Sequence, residues 1–314
     1  MKRIHIIYLD NVFKIKFNLL AIGLLFLLSC CTYMPAKKSS EGLPDQGPVL
    51  LELAPGIGYV DETYYQTSSL TQIYSGPDII RKISNSSHFN VETKVIRVDK
   101  ENKLLTLNVS TISKEGNIDL DDFALPQEGE SLEVVLTQQG IVTRVSQMPP
   151  GTLYYVPPIS LPKAAVRVGE TWEMTAEWIN SKNGMPLKME VVSTLASLHD
   201  CKDIGGVAGI CAIIDISGNV SISGLKREPL FSKTTDKIKF KSEISGRLIF
   251  SIKNGTVLFS YTKDQEQLMG EKDRVDISSC TISYVTKPIE ESLLLQKLFS
   301  IPKSCIPAEA LPNL

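Results

Sequence analysis

From about Val49 onward, apolar and polar residues alternate with a period of two, and the apolar positions are rich in β-branched side chains. Residues 91–98 (VETKVIRV), 105–109 (LTLNV) and 212–217 (AIIDIS) show the pattern most clearly and predict half-buried strands. Turn residues punctuate them. Asn183-Gly184 and Asn254-Gly255 suit two-residue hairpins, because both central positions of such a turn take positive φ, and the second pair is flanked by LIFSI (248–252) and TVLF (256–259). The periodicity changes once, near the C-terminus. In residues 288–300 (PIEESLLLQKLFS), Leu293, Leu294, Leu298 and the following Ile301 recur at three- and four-residue steps. Pro288, Glu290 and Glu291 suit a helix N-terminus, so one C-terminal helix is expected.

The strand region also reads as a duplication. Val60-Asp61-Glu62-Thr63-Tyr64 with Thr67 matches Val168-Gly169-Glu170-Thr171-Trp172 with Thr175 at an offset of 108. Leu107-Asn108-Val109-Ser110 matches Ile214-Asp215-Ile216-Ser217 at 107, and VVLTQQGIV around Gly140 matches IFSIKNGTV around Gly255 at 115. Between the halves, five prolines within residues 149–162 remove ladder donors and stiffen the chain, which marks a connector. The expected fold is mainly β: two related antiparallel repeats forming a curved sheet, sandwich or half-barrel, with one C-terminal helix. The stretch from Leu161-Pro162 to Val166-Arg167-Val168-Gly169-Glu170-Thr171-Trp172 resembles an LP…VxVGETW signature of two-repeat envelope lipoproteins. In physical terms Gly169 permits a turn, Glu170 and Thr171 open a strand, and Trp172 supplies core area.

The N-terminus carries a different signal. Lys2, Arg3, Lys14 and Lys16 precede a ten-residue apolar run, LLAIGLLFLL (19–28). A spanning helix needs about 20 apolar residues, whereas a secretory core needs roughly 7–15. The run is followed by Leu27-Leu28-Ser29-Cys30, which resembles the lipobox of bacterial lipoproteins. That resemblance implies cleavage before Cys30, a diacylglycerol thioether on its sulfur and acylation of its new amino group. Cys31 at the next position is not Asp, which implies outer-membrane sorting, or the outer face of the membrane in a cell with only one. Residues 32–47 (TYMPAKKSSEGLPDQG) lack periodicity and read as a tether with roughly 20–24 Å of reach. The expected organisation is therefore a signal peptide (1–29), a lipidated N-terminus and flexible tether (30–47), β repeat 1 (48–148), the Pro-rich connector (149–162), β repeat 2 (163–287), and a C-terminal helix and tail (288–314).

Charge refines this picture. The 314-residue chain has 33 Lys+Arg against 35 Asp+Glu, but losing residues 1–29 leaves 29 basic and 34 acidic residues, a body at −5. Such a body has no basic footprint for nucleic acid or anionic headgroups, so membrane attachment rests on the lipid. Four further cysteines, Cys201, Cys211, Cys280 and Cys305, suggest disulfides in an exported protein. Three connectivities exist. Cys201–Cys211, bracketing a Gly-rich loop, and Cys280–Cys305, pinning the C-terminal helix to the sheet, are the favoured pairs. Close-spaced ligands for zinc are lacking, so no metal and no cofactor are expected.

Catalytic signatures are sparse. The chain has no G-x-S-x-G, H-E-x-x-H or P-loop motif, and only His88 and His199 survive maturation; both are expected on the surface. Ser160-Leu161-Pro162-Lys163 matches S-x-x-K, but Pro162 breaks the helical turn which that pair needs. Asp119, Asp121 and Asp122 lack the glycine-pivoted loop of a calcium site and read as a solvated turn. The expectation is a lipid-anchored, noncatalytic envelope protein with a binding or scaffold role, its concave sheet face holding a hydrophobic ligand such as an acyl chain. The rivals are an envelope hydrolase built from scattered residues, which needs a polar pocket around a histidine, and an accessory subunit of an envelope complex.

Overall fold

The computed structural model describes residues 42–43, 46–117, 120, 125–146, 161–179, 186–202, 208–223, 239–270 and 272–285. They form β1 (Val60–Ser75), β2 (Asp78–Asp99), β3 (Leu104–Gly116), β4 (Ser131–Thr137), β5 (Val142–Val145), β6 (Thr171–Ile179), β7 (Pro186–Asp200), β8 (Ile210–Ile222), β9 (Lys239–Ser251), β10 (Thr256–Met269) and β11 (Asp273–Val285). All eleven belong to one sheet in the order β5-β4-β3-β2-β1-β11-β10-β9-β8-β7-β6, and every pairing is antiparallel.

The sheet must curl. Leu53 N–H donates to Gln138 O beyond β4, and the next amide, Ala54 N–H, donates to Gly255 O in the β9–β10 turn. One chain step of about 3.8 Å with a hydrogen-bonded neighbour about 5 Å away on each side bridges roughly 14 Å. In a flat sheet, the five inter-strand steps from β4 to β10 would span roughly 24 Å. Bulges in β2, β7 and β10 increase local twist. At Gly246 in β9 an added Cβ would lie 2.4 Å from Tyr261 O, so a side chain there would oppose the approach of β10. The result is an incompletely closed barrel whose concave face is lined by alternate residues of each strand.

A strap, residues 46–59 with Leu43 before it, crosses the gap at one end of this barrel. Its amides donate to carbonyls far apart in sequence: Leu43 to Leu198, Val49 to Val166, Leu53 to Gln138, Ala54 to Gly255, and Gly58 to Val95. Leu51 is fully buried with Leu161, Val166 and the inward residues of β7, β8 and β9. Leu53 touches that cluster and a second one built by β2 to β5 with Leu120 and Leu125. Between the two apolar clusters runs a buried polar stripe on β1, β11 and β10, including Thr67, Thr281, Thr262, Asp264 and Glu266.

Both halves lie in one sheet, β1 to β5 from the first and β6 to β11 from the second, and the matched segments fall at the starts of β1 and β6, within β3 and β8, and at the β4–β5 and β9–β10 connections. Other expectations are revised. The hairpin at Asn254-Gly255 exists, but four residues rather than two join β9 to β10, and among the described residues Lys103 is the one non-glycine with positive φ, so Asn254 keeps an ordinary φ. The strap begins within the stretch read as tether, because Leu43 is already bonded to β7. Gly169 does take a positive φ of 90° in the turn before β6. Residues 1–41, all of the connector (149–162) except Leu161 and Pro162, and the segment expected to form a C-terminal helix (288–300) lie outside the described residues.

Candidate functional site

The alternation of β1 turns Asp61, Thr63 and Tyr65 to the concave face, and the pairing places Thr93, Val91 and Phe89 of β2 opposite them. Strap residues Leu53, Pro55 and Tyr59 lie across the end of this wall, and Val257 and Val285 close it from β10 and β11. The partly open cavity has a volume of ≈ 140 Å³. Its remaining lining is dominated by Val95, Leu105, Leu107, Val109 and Leu136. Tyr65 stacks on Phe89 at 4.8 Å and 4°, which fixes the floor.

The cavity has one acid. Burial raises the Asp61 carboxyl to about 6, and its hydrogen bond from Thr63 opposes that rise weakly. The bond is long, 3.5 Å from Thr63 Oγ1 to Asp61 Oδ1. Tyr59 is also raised, first by burial and then by the Asp61 charge, while the neighbouring Thr256 hydroxyl pulls it down. Among the described residues, no lysine, arginine or histidine lines the cavity. A more open groove of ≈ 820 Å³ lies on the other side of the strap, between Ala54–Ile57 and the β2–β3 turn, with Arg97, Asp99, Lys100 and Glu101 around it.

Further along the concave face, Asp264 and Glu266 lie two residues apart on β10 and are both buried. Ser279 Oγ donates to Asp264 Oδ2, Ser260 and Ser283 share a hydrogen bond of 2.6 Å, and Thr281 donates to Thr67 across 3.2 Å. Complete burial pushes the Glu266 carboxyl well above the usual range by penalising its charged form. Two carboxyls on one strand face have the composition of an acid–base pair, but neither lines either of the two cavities described above.

The residues singled out in the sequence fall elsewhere. Cys201 and Cys211 are bonded to one another across the β7–β8 connection. Cys280 is also disulfide-bonded and faces the convex side, while Cys30 and Cys305 lie outside the described residues. His88 pairs with the Tyr64 hydroxyl on the convex side. His199 is buried rather than on the surface, with its Nε2 2.9 Å from Ser197 Oγ. Neither histidine lines a described cavity. Asp119, Asp121, Asp122 and Ser160 are outside the described residues, and among those described no cluster of three or more His, Cys, Asp or Glu side chains is placed to hold a metal. Asp61 was present in the sequence at an inward position of a D-x-T-x-Y-x-T alternation, but only the structure shows that apolar walls enclose it.

No protein family matches the sequence, and no curated protein does. Among solved structures, the chain is aligned with Ail, the attachment invasion locus protein of Yersinia pestis, at 6% identity and a TM-score of 0.18, covering 73% of this chain and 99% of that one. A mutant Rh. blastica porin aligns at 8% identity and 0.25, covering 72% and 100%. DynF from the dynemicin biosynthesis pathway of Micromonospora chersina aligns at 7% and 0.20, covering 84% and 97%. At these scores no conclusion about fold or function follows.

Proposed function

We propose that the protein is a lipid-anchored envelope protein that binds a small hydrophobic ligand without transforming it. The observation that carries this reading is the apolar cavity of ≈ 140 Å³ bounded by β1, β2, β3, β10, β11 and the strap. Such cavities, with few polar groups, suit apolar ligands. The anchor reading rests on the Leu27-Leu28-Ser29-Cys30 sequence after a short apolar core. Two or more acyl chains on Cys30 would hold the body at a membrane surface, in the outer membrane or on the outer face of a single one.

Both parts have direct tests. Metabolic labelling with a palmitate analogue should mark the intact chain and fail to mark Cys30→Ala; equal labelling of both would overturn the anchor. For the cavity, a fluorescent apolar probe should be bound by the wild type. Leu107→Trp, which fills the cavity from β3, should weaken that binding about tenfold, the order expected when a well-packed apolar contact is lost. Undiminished probe binding by a folded Leu107→Trp would place the ligand elsewhere.

A further inference from the structure

We propose that the ligand of this cavity is a small cationic amphiphile: a single ring or short alkyl chain bearing a protonated amine that pairs with Asp61. This rests on the hydrophobic-ligand reading and specifies its chemistry. The size follows from the volume, since a dry cavity of about 150 Å³ lined by aliphatic side chains takes one benzene ring. At ≈ 140 Å³ the site itself holds one ring or roughly six carbons, and a longer chain would extend out of its open side.

The charge follows from the lining. Among the described residues, Asp61 is the one carboxylate on the wall, and no cationic side chain lines the cavity. Among the described residues its protein donor is Thr63 Oγ1, at the outer limit of hydrogen bonding, so the carboxylate retains capacity for a stronger donor. A fatty-acid carboxylate or a phosphate entering here would meet a like charge and no counter-ion. A neutral chain would bury the carboxylate further without pairing it, which costs free energy. An ammonium supplies both charge and donors, and its tail meets Leu107, Val109 and Val257.

The test uses the full chain in lipid nanodiscs at pH 8, with binding of hexylamine, hexanol and hexanoate followed by calorimetry. Hexylamine should bind about tenfold or more tightly than hexanol, as expected for one charge-assisted hydrogen bond, and hexanoate more weakly than either. In Asp61→Asn the advantage of the amine should vanish while hexanol binding persists. Equal or weaker binding of hexylamine than hexanol by the wild type overturns the cationic assignment, and needs no variant. Retention of the preference in a folded Asp61→Asn overturns the role of Asp61. Failure of all three ligands to bind removes the cavity reading itself along with this one.

Discussion

Asp61 and Glu266 hold protons more tightly in the fold than in an unfolded chain, and for the same reason: burial penalises their charged forms. For Asp61, ordinarily 3.8 and here about 6, the native state binds the extra proton between those values. Its contribution to stability is therefore fully present below about pH 4 and lost as pH rises through 6. Because the side chain remains partly solvated, the loss is on the order of 1–2 kcal/mol. Asp61→Asn should be the more stable protein at pH 8 by about that amount and lose the advantage near pH 4, read from urea midpoints across that range. Glu266 has the same sign, because burial raises its carboxyl well above its ordinary value. Wild-type stability should decline as pH rises through that raised value, and Glu266→Gln should remove the decline; an unchanged pH profile in Glu266→Gln would show that the carboxyl reaches solvent. Neither acid stood out in the sequence, for physical reasons. Asp61 reads as a strand-opening polar residue. In β10 both alternating sets, Thr262, Asp264 and Glu266 against Lys263, Gln265 and Gln267, are polar, so no face is distinguished.

At the scale of elements, the strap matters most to the site and was least legible. Its residues have no two- or three-residue period, and its order comes from hydrogen bonds to β2, β7 and the ends of β4 and β9, distant in sequence. The β9–β10 hairpin, by contrast, was legible because its signal is local. The two meet at Gly255, whose φ is 61° and where an added Cβ would stand 2.2 Å from the Ala54 amide nitrogen. Gly255→Ala should therefore push the strap off the barrel end. Hydrogen exchange of the Leu53 and Ala54 amides should accelerate, with binding weakened and β7–β8 exchange unaffected. Leu51→Ala attacks the same element through packing. Truncating this fully buried side chain should cost about 2–5 kcal/mol, with melting curves as the measure. The Cys201–Cys211 bond was also readable in advance, because the two cysteines flank a short loop that the β7–β8 connection brings back on itself.

The described strands form one sheet joined through β1 and β11, and this bears on the duplication read in the sequence. The matched segments were recognisable because strands of similar burial repeat similar residues. Their assembly was not, since nothing local in β1 says that its second neighbour is β11. That seam contains thirteen consecutive register pairs, from Thr63↔Val285 to Ser75↔Asp273. The two sides are also tied by packing, because Leu51, which precedes β1, is buried in the cluster of β7 to β9. A fragment of residues 48–148 would thus expose one full edge of β1 and strand Leu51 in water. Autonomous repeats would instead keep their own edges and cores. We therefore expect residues 48–148 expressed alone to lack a cooperative melting transition. In the full chain, denaturation followed by the fluorescence of Trp172 and Trp178, both in β6 at the far edge, should coincide with far-UV circular dichroism, which reports every strand. Two separated transitions, or a folded fragment, would show that the halves are stable apart and that the seam between β1 and β11 only docks them.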